Sequence, residues 1–437
     1  VRKRHGAVLM REAHIIEREH HDSTVEPRRR VPRAVAALVV AVLVTAAIVL
    51  LDLGDRDGDT SNPCPTVDPP SAQATPGSIP GSPTTPTSAV PPADIDYLDG
   101  KSYLRGVNVF DLQSRVSLGV DCTALNPASS YEFLAERGVQ LVRLAVPWSF
   151  LQPKAPGEST DDALSRGLDP TAVGVLRSEI ASIGAAGMRV VLDLHNNGTY
   201  PASQGEFPPG TVWFGAGISI EQAQRVWRLL SDEFKTDEDI AAYDLFNEVR
   251  LSMVSAPTYK TYIRAVVRAI RENGDMHTLW VEGMKEAATG GLPQIAPDGP
   301  WINDPLDRIV YSQHFYPGGT GTALRGADDA GPTSGSAFLA ALRGFGDWCT
   351  TFGVRCSVGE VGWPSDESLD VAPGDPQSWN AVGARFYTLA DSYGMDVTYF
   401  GSTRKASCGW LMAYCGDGEE IDDARSQSTV IEQHLSR

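Results

Sequence analysis

Ala241-Ala242-Tyr243-Asp244-Leu245-Phe246-Asn247-Glu248 reads as a short strand, Ala241–Phe246, that ends in a polar pair. Seven similar runs of apolar, often β-branched residues lie on either side of it: Tyr103–Val109, Gln140–Val146, Arg189–Leu194, Thr278–Glu282, Arg308–His314, Arg355–Glu360 and Asp396–Phe400. Longer amphipathic stretches alternate with them, at Thr171–Ala186, Ile220–Phe234, Tyr259–Glu272, Ser336–Phe352 and Ser378–Tyr393, with Ser428–Leu435 after the last strand. That alternation marks βα units and a parallel sheet. Eight such units in residues 93–437 fit one α/β domain, a (β/α)8 TIM barrel with enlarged loops, although the length of 437 residues by itself suggests two or three domains.

Active sites of such barrels lie at the C-terminal ends of the strands, and here those ends are crowded with polar groups. Strand two runs through Arg143 to Pro147-Trp148, strand three ends Asp193-Leu194-His195-Asn196, strand six ends His314-Phe315-Tyr316, and strand seven ends Glu360-Val361-Gly362-Trp363. Glu248 and Glu360 thus stand at the mouths of strands four and seven. Two facing carboxyls suit glycosidic bond cleavage, which needs an acid for the leaving oxygen and a second carboxylate at the anomeric carbon. Tyr316 is placed to hydrogen-bond one carboxylate and Arg143 to keep it ionised. Salt-bridged carboxylates at a barrel rim are the bland alternative, and for His195 and His314 it is metal ligation, against which stands the lack of an HExxH-type motif.

Taken in order, Arg143, His195, Asn247-Glu248, His314-x-Tyr316 and Glu360 resemble glycoside hydrolase family 5, the cellulase family, over roughly residues 100–415. The resemblance implies a retaining double displacement, with Glu248 as acid/base and Glu360 as nucleophile. It implies that Asn247 bonds the 2-hydroxyl beside the cleaved bond, that His195 and His314 line that subsite, and that Tyr316 and Arg143 orient and support the nucleophile. The implied substrate is a β-linked polysaccharide, a cellulose-like β-1,4-glucan first, with mannan, a β-1,3-glucan, a glycolipid headgroup or a non-catalytic glycan-binding barrel as alternatives. No cofactor and no metal are required by this chemistry, and a monomer is expected.

Many members of that family place a Trp at the end of strand eight, where this chain has Tyr399-Phe400-Gly401-Ser402. Trp410 follows between Cys408 and Cys415, so either a disulfide-held loop returns Trp410 to the subsite floor or the floor is altered. Trp148, Trp363 and Trp410, with Trp213, are candidate sugar-stacking platforms, core packing being the alternative for each.

The N-terminal region has a different composition. Residues 1–33 carry a net charge of +4, and Ala34–Leu51 contains no charge, Pro or Gly. A bilayer-spanning helix needs about 20 apolar residues, within a range of roughly 17–25. Arg28, Arg29, Arg30 and Arg33 precede the run and Asp52, Asp55, Asp57 and Asp59 follow it, so the positive-inside rule puts residues 1–33 in the cytoplasm as a basic tail, 34–51 as a transmembrane anchor and the barrel outside the cytoplasm. A cleaved signal is the competing account, in which case the barrel is secreted. Residues 52–92 read as a Pro/Ser/Thr-rich disordered linker, with ten prolines in residues 61–92.

An extracytoplasmic setting suits disulfides. Of the pairings open to six cysteines, Cys349–Cys356, Cys408–Cys415 and Cys64–Cys122 are preferred. The net charge of −18 falls on residues 93–437, whose acidity disfavours nucleic acid and leaves a neutral polymer open.

Overall fold

The structure, a computed structural model, describes residues 97–119, 123–201, 210–285, 291–317, 332–369, 372, 374–376, 378–405, 408–409 and 411–435. Eight parallel strands close into a barrel: β1 (Arg105–Val109), β2 (Leu141–Val146), β3 (Arg189–Leu194), β4 (Ile240–Asp244), β5 (Thr278–Glu282), β6 (Ile309–Phe315), β7 (Arg355–Val361) and β8 (Asp396–Ser402), paired in chain order, with β8 returning to β1. All eight strands expected from the sequence are present, displaced at their ends by no more than two residues. The basic tail, the anchor Ala34–Leu51, the Pro-rich linker and the pair Cys64–Cys122 lie outside the described residues. Among the described residues no helix is long and apolar enough to cross a membrane.

Helices cover the outside of the barrel at Pro170–Ala185, Ile220–Phe234, Ala256–Glu272, Pro332–Phe352, Trp379–Ser392 and Ser426–Gln433. Ile220–Phe234 starts at a capping box, in which Ser219 accepts from the Gln222 amide and the Gln222 side chain returns the bond. It buries Val226, Trp227, Leu230 and Phe234 against the strands. Two helices of the first connection, Asp111–Leu118 and Ala128–Glu136, have no counterpart in the sequence reading. Both are short, with polar and apolar positions that give little helical periodicity. The bond Cys349–Cys356 ties the end of helix Pro332–Phe352 to the start of β7, and Cys408–Cys415 closes the loop after β8, both as expected.

Strand side chains alternate between the two faces of the wall, so inward residues recur every second position. The lower interior is apolar, with Leu104, Leu141, Val191, Ala242, Trp280 and Val310 in one buried cluster against which Tyr97 and Leu98 pack. Two positions further along five of the same strands stand Asp193, Asp244 and Glu282 with Arg143 and Ser312, all buried. A single alternation therefore stacks a charged layer on an apolar floor.

In β7 the ladder slips at Gly359: Val358 pairs with Gln313 but Glu360 with His314, leaving Gly359 as the extra residue of a bulge. A Cβ there would stand 2.7 Å from Ser312 Oγ and 2.8 Å from His314 Nε2, so glycine is required by the close approach. Asn108 Nδ2 donates to the Gly359 carbonyl at 3.0 Å and holds the bulge in place. A bulge re-aims the residue that follows it, and here that residue is Glu360.

Candidate active site

Arg143 rises from β2 into the middle of the charged layer and is fully buried. Its Nε donates to Asp244 Oδ2 at 2.9 Å, Nη1 to Glu360 Oε1 at 3.0 Å and to Asn108 Oδ1 at 2.9 Å, and Nη2 to Asn247 Oδ1 at 2.9 Å and Glu282 Oε1 at 2.8 Å. Asp193 Oδ2 is 3.0 Å from Nη2 as well. Burial works against its charge, but the carboxylates of Asp193, Asp244, Glu282 and Glu360 outweigh burial and hold its pKa well above the ordinary arginine value. Four buried acids cannot all ionise around one cation cheaply. Asp244 takes up the mismatch: burial, then the neighbouring Glu282, pushes its carboxyl up to about 8, so it is protonated at neutral pH.

Glu360, at the end of β7, accepts from Arg143 on Oε1 and from the Tyr316 hydroxyl on Oε2 at 2.5 Å. Burial and the Glu360 charge raise the Tyr316 phenol well above its usual pKa, which keeps it a donor. Gly362 makes room for this contact, since a Cβ there would touch both Tyr316 and Phe400.

Glu248 stands across the mouth, past the end of β4, with a left-handed backbone at φ +44°. Its amide donates to Glu282 Oε2 at 2.7 Å. The Lys285 ammonium pairs with Oε2, and His314 Nδ1 is 3.3 Å from Oε1. Burial would raise this carboxyl, yet Lys285 and His314 together hold it well below the usual range. His314 also faces Glu360 Oε2 at 3.4 Å and, through Nε2, Glu282 Oε1 at 3.0 Å. Burial opposes its charge, but Glu282 and Glu360 prevail and raise its pKa well above the imidazole norm. The ring is therefore an imidazolium at neutral pH.

His195 is held by different partners. Nδ1 lies 2.6 Å from Asp193 Oδ2 and Nε2 is 3.3 Å from Asn247 Nδ2, a pattern that assigns the proton to Nδ1 and makes Nε2 the acceptor. Asn247 is thereby fixed between Arg143, His195 and Asn197.

The structure thus brings Arg143, His195, Asn247, Glu248, His314, Tyr316 and Glu360 together at one mouth. It adds Asn108, Asp193, Asp244, Glu282 and Lys285, to which the sequence reading assigned no role. Strand parity carried a signal for three of them: Asp193, Asp244 and Glu282 share an inward register with Arg143, whose buried charge needs partners.

The tryptophans behave differently. Trp148 and Trp363 are both 0% exposed, so neither presents a face to a sugar. Trp148 donates to Gln152 Oε1 at 2.8 Å and Trp363 to Asn380 Oδ1 at 2.8 Å, while Gly383 of helix Trp379–Ser392 sits directly against the Trp363 indole. The stacking role expected of these two is corrected to core packing, because each lies where a covering helix or loop meets the barrel. Trp213 is half-buried on a small ribbon, Val212–Phe214, and Trp410 lies outside the described residues. At the end of β8, Phe400 is half-buried, its ring centroid 4.8 Å from that of Phe110 and 5.5 Å from that of Tyr316.

Glu248, His314 and Glu360 present donor atoms all within 4.8 Å of one another, a spacing a metal ion would accept. Their electrostatics fit a cation poorly. His314, as an imidazolium, has no lone pair to give, and Lys285 and Arg143 already supply positive charge to the two carboxylates. What the arrangement can do is move a proton at one carboxyl while the other, stripped of solvent and held by two donors, faces an electron-poor centre.

Comparison with known proteins agrees with this geometry. Residues 100–406 match the family described as Cellulase (glycosyl hydrolase family 5). Endoglucanase B of Acetivibrio thermocellus is 22% identical over 54% of this chain and 44% of its own length. A manganese-dependent endoglucanase of Phanerodontia chrysosporium is 24% identical over 57% of this chain and 59% of its own length. The chain thus spans about half the length of these curated relatives. Among solved structures, a Pseudomonas stutzeri endoglucanase in complex with cellobiose superposes with a TM-score of 0.60 at 21% identity, covering 76% of this chain and 92% of that one.

Proposed function

The chain belongs to the cellulase family, glycosyl hydrolase family 5, and from that premise we propose that its barrel is a retaining glycoside hydrolase acting on a β-linked glucan, a β-1,4-glucan first. The observation that carries the reading is the facing pair Glu248 and Glu360, whose nearest oxygens lie within 4.8 Å. Retaining enzymes hold their carboxyls about 5–5.5 Å apart, whereas inverting ones leave room for a water at about 6.5–9.5 Å.

Each group then has a task. Glu360, oriented by Tyr316 and Arg143, attacks the anomeric carbon, and the glycosidic bond breaks as Glu248 gives its proton to the leaving oxygen. In the second half Glu248 takes a proton from water as the water oxygen displaces Glu360. Asn247, oriented by Arg143, exchanges its long contact with Asn197 for a hydrogen bond to the sugar 2-hydroxyl, and His195 and His314 border the same subsite. Glu360, held by Arg143 and Tyr316, faces the carbon on which positive charge develops in an oxocarbenium-like transition state. The manganese dependence named for the Phanerodontia relative is not carried over, because the cations already in place take the role of the metal charge.

The proposal extends to the whole chain. Residues 1–33 form a cytoplasmic tail, Ala34–Leu51 a membrane anchor and residues 52–92 a linker that carries the barrel, as a monomer, outside the cytoplasm. The charge asymmetry around the apolar run and the two disulfides of the barrel support that placement. The deciding experiment is hydrolysis of a soluble glucan or activated aryl β-glycoside by the wild type and by Glu360→Gln, with the product anomer read by NMR. Loss of activity in the variant and a β-anomeric first product are expected. Unchanged activity would remove Glu360 from the chemistry, and glycan binding without new reducing ends would make the barrel a lectin.

A further inference from the structure

Glu248 must carry a proton to act as an acid, yet the free site holds it as a carboxylate. The groups facing it are Lys285 from the loop after β5, His314 from β6, Glu282 from β5 and Glu360 from β7, with Tyr316 behind Glu360. The His314, Glu282 and Glu360 side chains are walled in, at 8%, 2% and 4% exposure, and have nowhere to go. Lys285 is 39% exposed. Its backbone is pinned to the segment that carries Glu248, donating to the Val249 carbonyl at 2.9 Å and accepting from the Leu251 amide at 3.3 Å. Any movement therefore belongs to its four-carbon stem. The two Glu248 oxygens also divide their partners, Oε1 toward His314 and the buried floor, Oε2 toward Lys285 and the open side. A proton on Oε2 and the Lys285 ammonium compete for the same lone pair.

Resting on the hydrolase reading above, we propose that Lys285 is a positioning residue on the leaving-group side of the site: its ammonium occupies Glu248 Oε2 until the aglycone sugar turns it out to solvent, and it returns to Glu248 once that sugar has left. In the first half-reaction, displacement of the ammonium lets Oε2 take up a proton from solvent water, and that proton passes to the leaving oxygen, which receives the electron pair of the broken C–O bond. In the second, the returning ammonium favours the carboxylate, which accepts a proton from water as the water oxygen bonds to the anomeric carbon and the bond to Glu360 breaks. Cleavage of a sugar leaving group, which needs the proton, depends on Lys285. Departure of a dinitrophenolate, which needs none, does not.

The test compares full-length wild type, Lys285→Met and Lys285→Arg. In Lys285→Met the alkaline limb of kcat/KM for a cello-oligosaccharide is expected to move up by about one pH unit or more, the range an adjacent opposite charge commands. Lys285→Arg keeps the wild-type limb, and the profile for a dinitrophenyl β-cellobioside stays put in both. A purely structural lysine would change the rate at every pH without moving the limb, and an unmoved limb in folded Lys285→Met overturns the proposal. Titration of carbon-13-labelled glutamate carboxyls by NMR, with Glu248 assigned through Glu248→Gln, separates the two readings. A Glu248 titration that moves up in Lys285→Met without any glucan hydrolysis keeps the lysine and rejects the activity; hydrolysis with no such movement does the reverse.

Discussion

The backbone amide of Glu248 donates to Glu282 Oε2 at 2.7 Å, and Glu248 itself holds φ at +44°. A non-glycine residue in this region costs of order 1–3 kcal/mol and persists only where its surroundings enforce it. Glu282 is one enforcing group, and it is the same carboxylate that meets Arg143 and His314. One side chain therefore sets both the direction of Glu248 and the charge of its neighbours.

Glu282→Ala leaves Arg143 short of a buried counterion and the Glu248 amide without its acceptor. We expect a loss of about 3 kcal/mol in stability, the lower end for a broken buried pair because Asp193, Glu360 and the Asp244 carboxyl remain around Arg143. Glu282→Gln keeps an acceptor in place, so it loses less stability while still lowering kcat. Chemical denaturation and glucan kinetics on the two variants check this, and equal stability losses would count against the backbone-holding role.

Tyr316→Phe removes one donor from Glu360 without opening a cavity. A hydrogen bond to a charged group is worth about 1.5–3 kcal/mol, so kcat should fall roughly 10- to 100-fold with the melting temperature nearly unchanged. Steady-state kinetics alongside calorimetry separate this outcome from a folding defect.

Asp244 makes stability depend on pH in an unusual direction. Its folded carboxyl titrates at about 8, raised by burial and by Glu282, against about 3.9 when unfolded. Between those values the folded state binds the extra proton, so this group's contribution to stability falls as pH rises from about 4 to about 8. His314, whose pKa is raised, acts in the same sense above its unfolded value of about 6.5. Asp244→Asn, a neutral isostere that can still accept from Arg143 Nε, should flatten the decline in melting temperature between pH 5 and pH 8; an equally steep decline would remove Asp244 as its source.

Trp363→Ala and Trp148→Ala should each cost about 3–5 kcal/mol, as for large core side chains, and leave KM of the folded fraction close to wild type. A raised KM with little loss of stability would restore the sugar-stacking role. Denaturation curves and substrate saturation on the same preparations decide it.

The alternation of apolar and amphipathic runs determined a great deal on its own. Parallel strands buried on both faces leave short apolar, β-branched runs between amphipathic helices, so all eight strands and the barrel they form were legible there. The order Arg143, His195, Asn247-Glu248, His314, Tyr316 and Glu360 was legible too, because each residue closes a strand and strand ends converge by topology. The pairs Cys349–Cys356 and Cys408–Cys415 were suggested by their short, equal spacing. What stayed hidden depends on distances between strands far apart in the chain. Glu282 and Asp244 look like ordinary strand-end acids until the barrel closes and sets them around the single guanidinium of Arg143. Trp148 and Trp363 sit beside catalytic motifs in sequence, but whether a ring faces the cleft or a helix is decided by the packing of elements such as Trp379–Ser392. Lys285 acquires meaning only when its loop folds back on the segment after β4. Periodicity and order are properties of the chain; charge balance, protonation and burial belong to groups brought together through space, and only the closed barrel decides them.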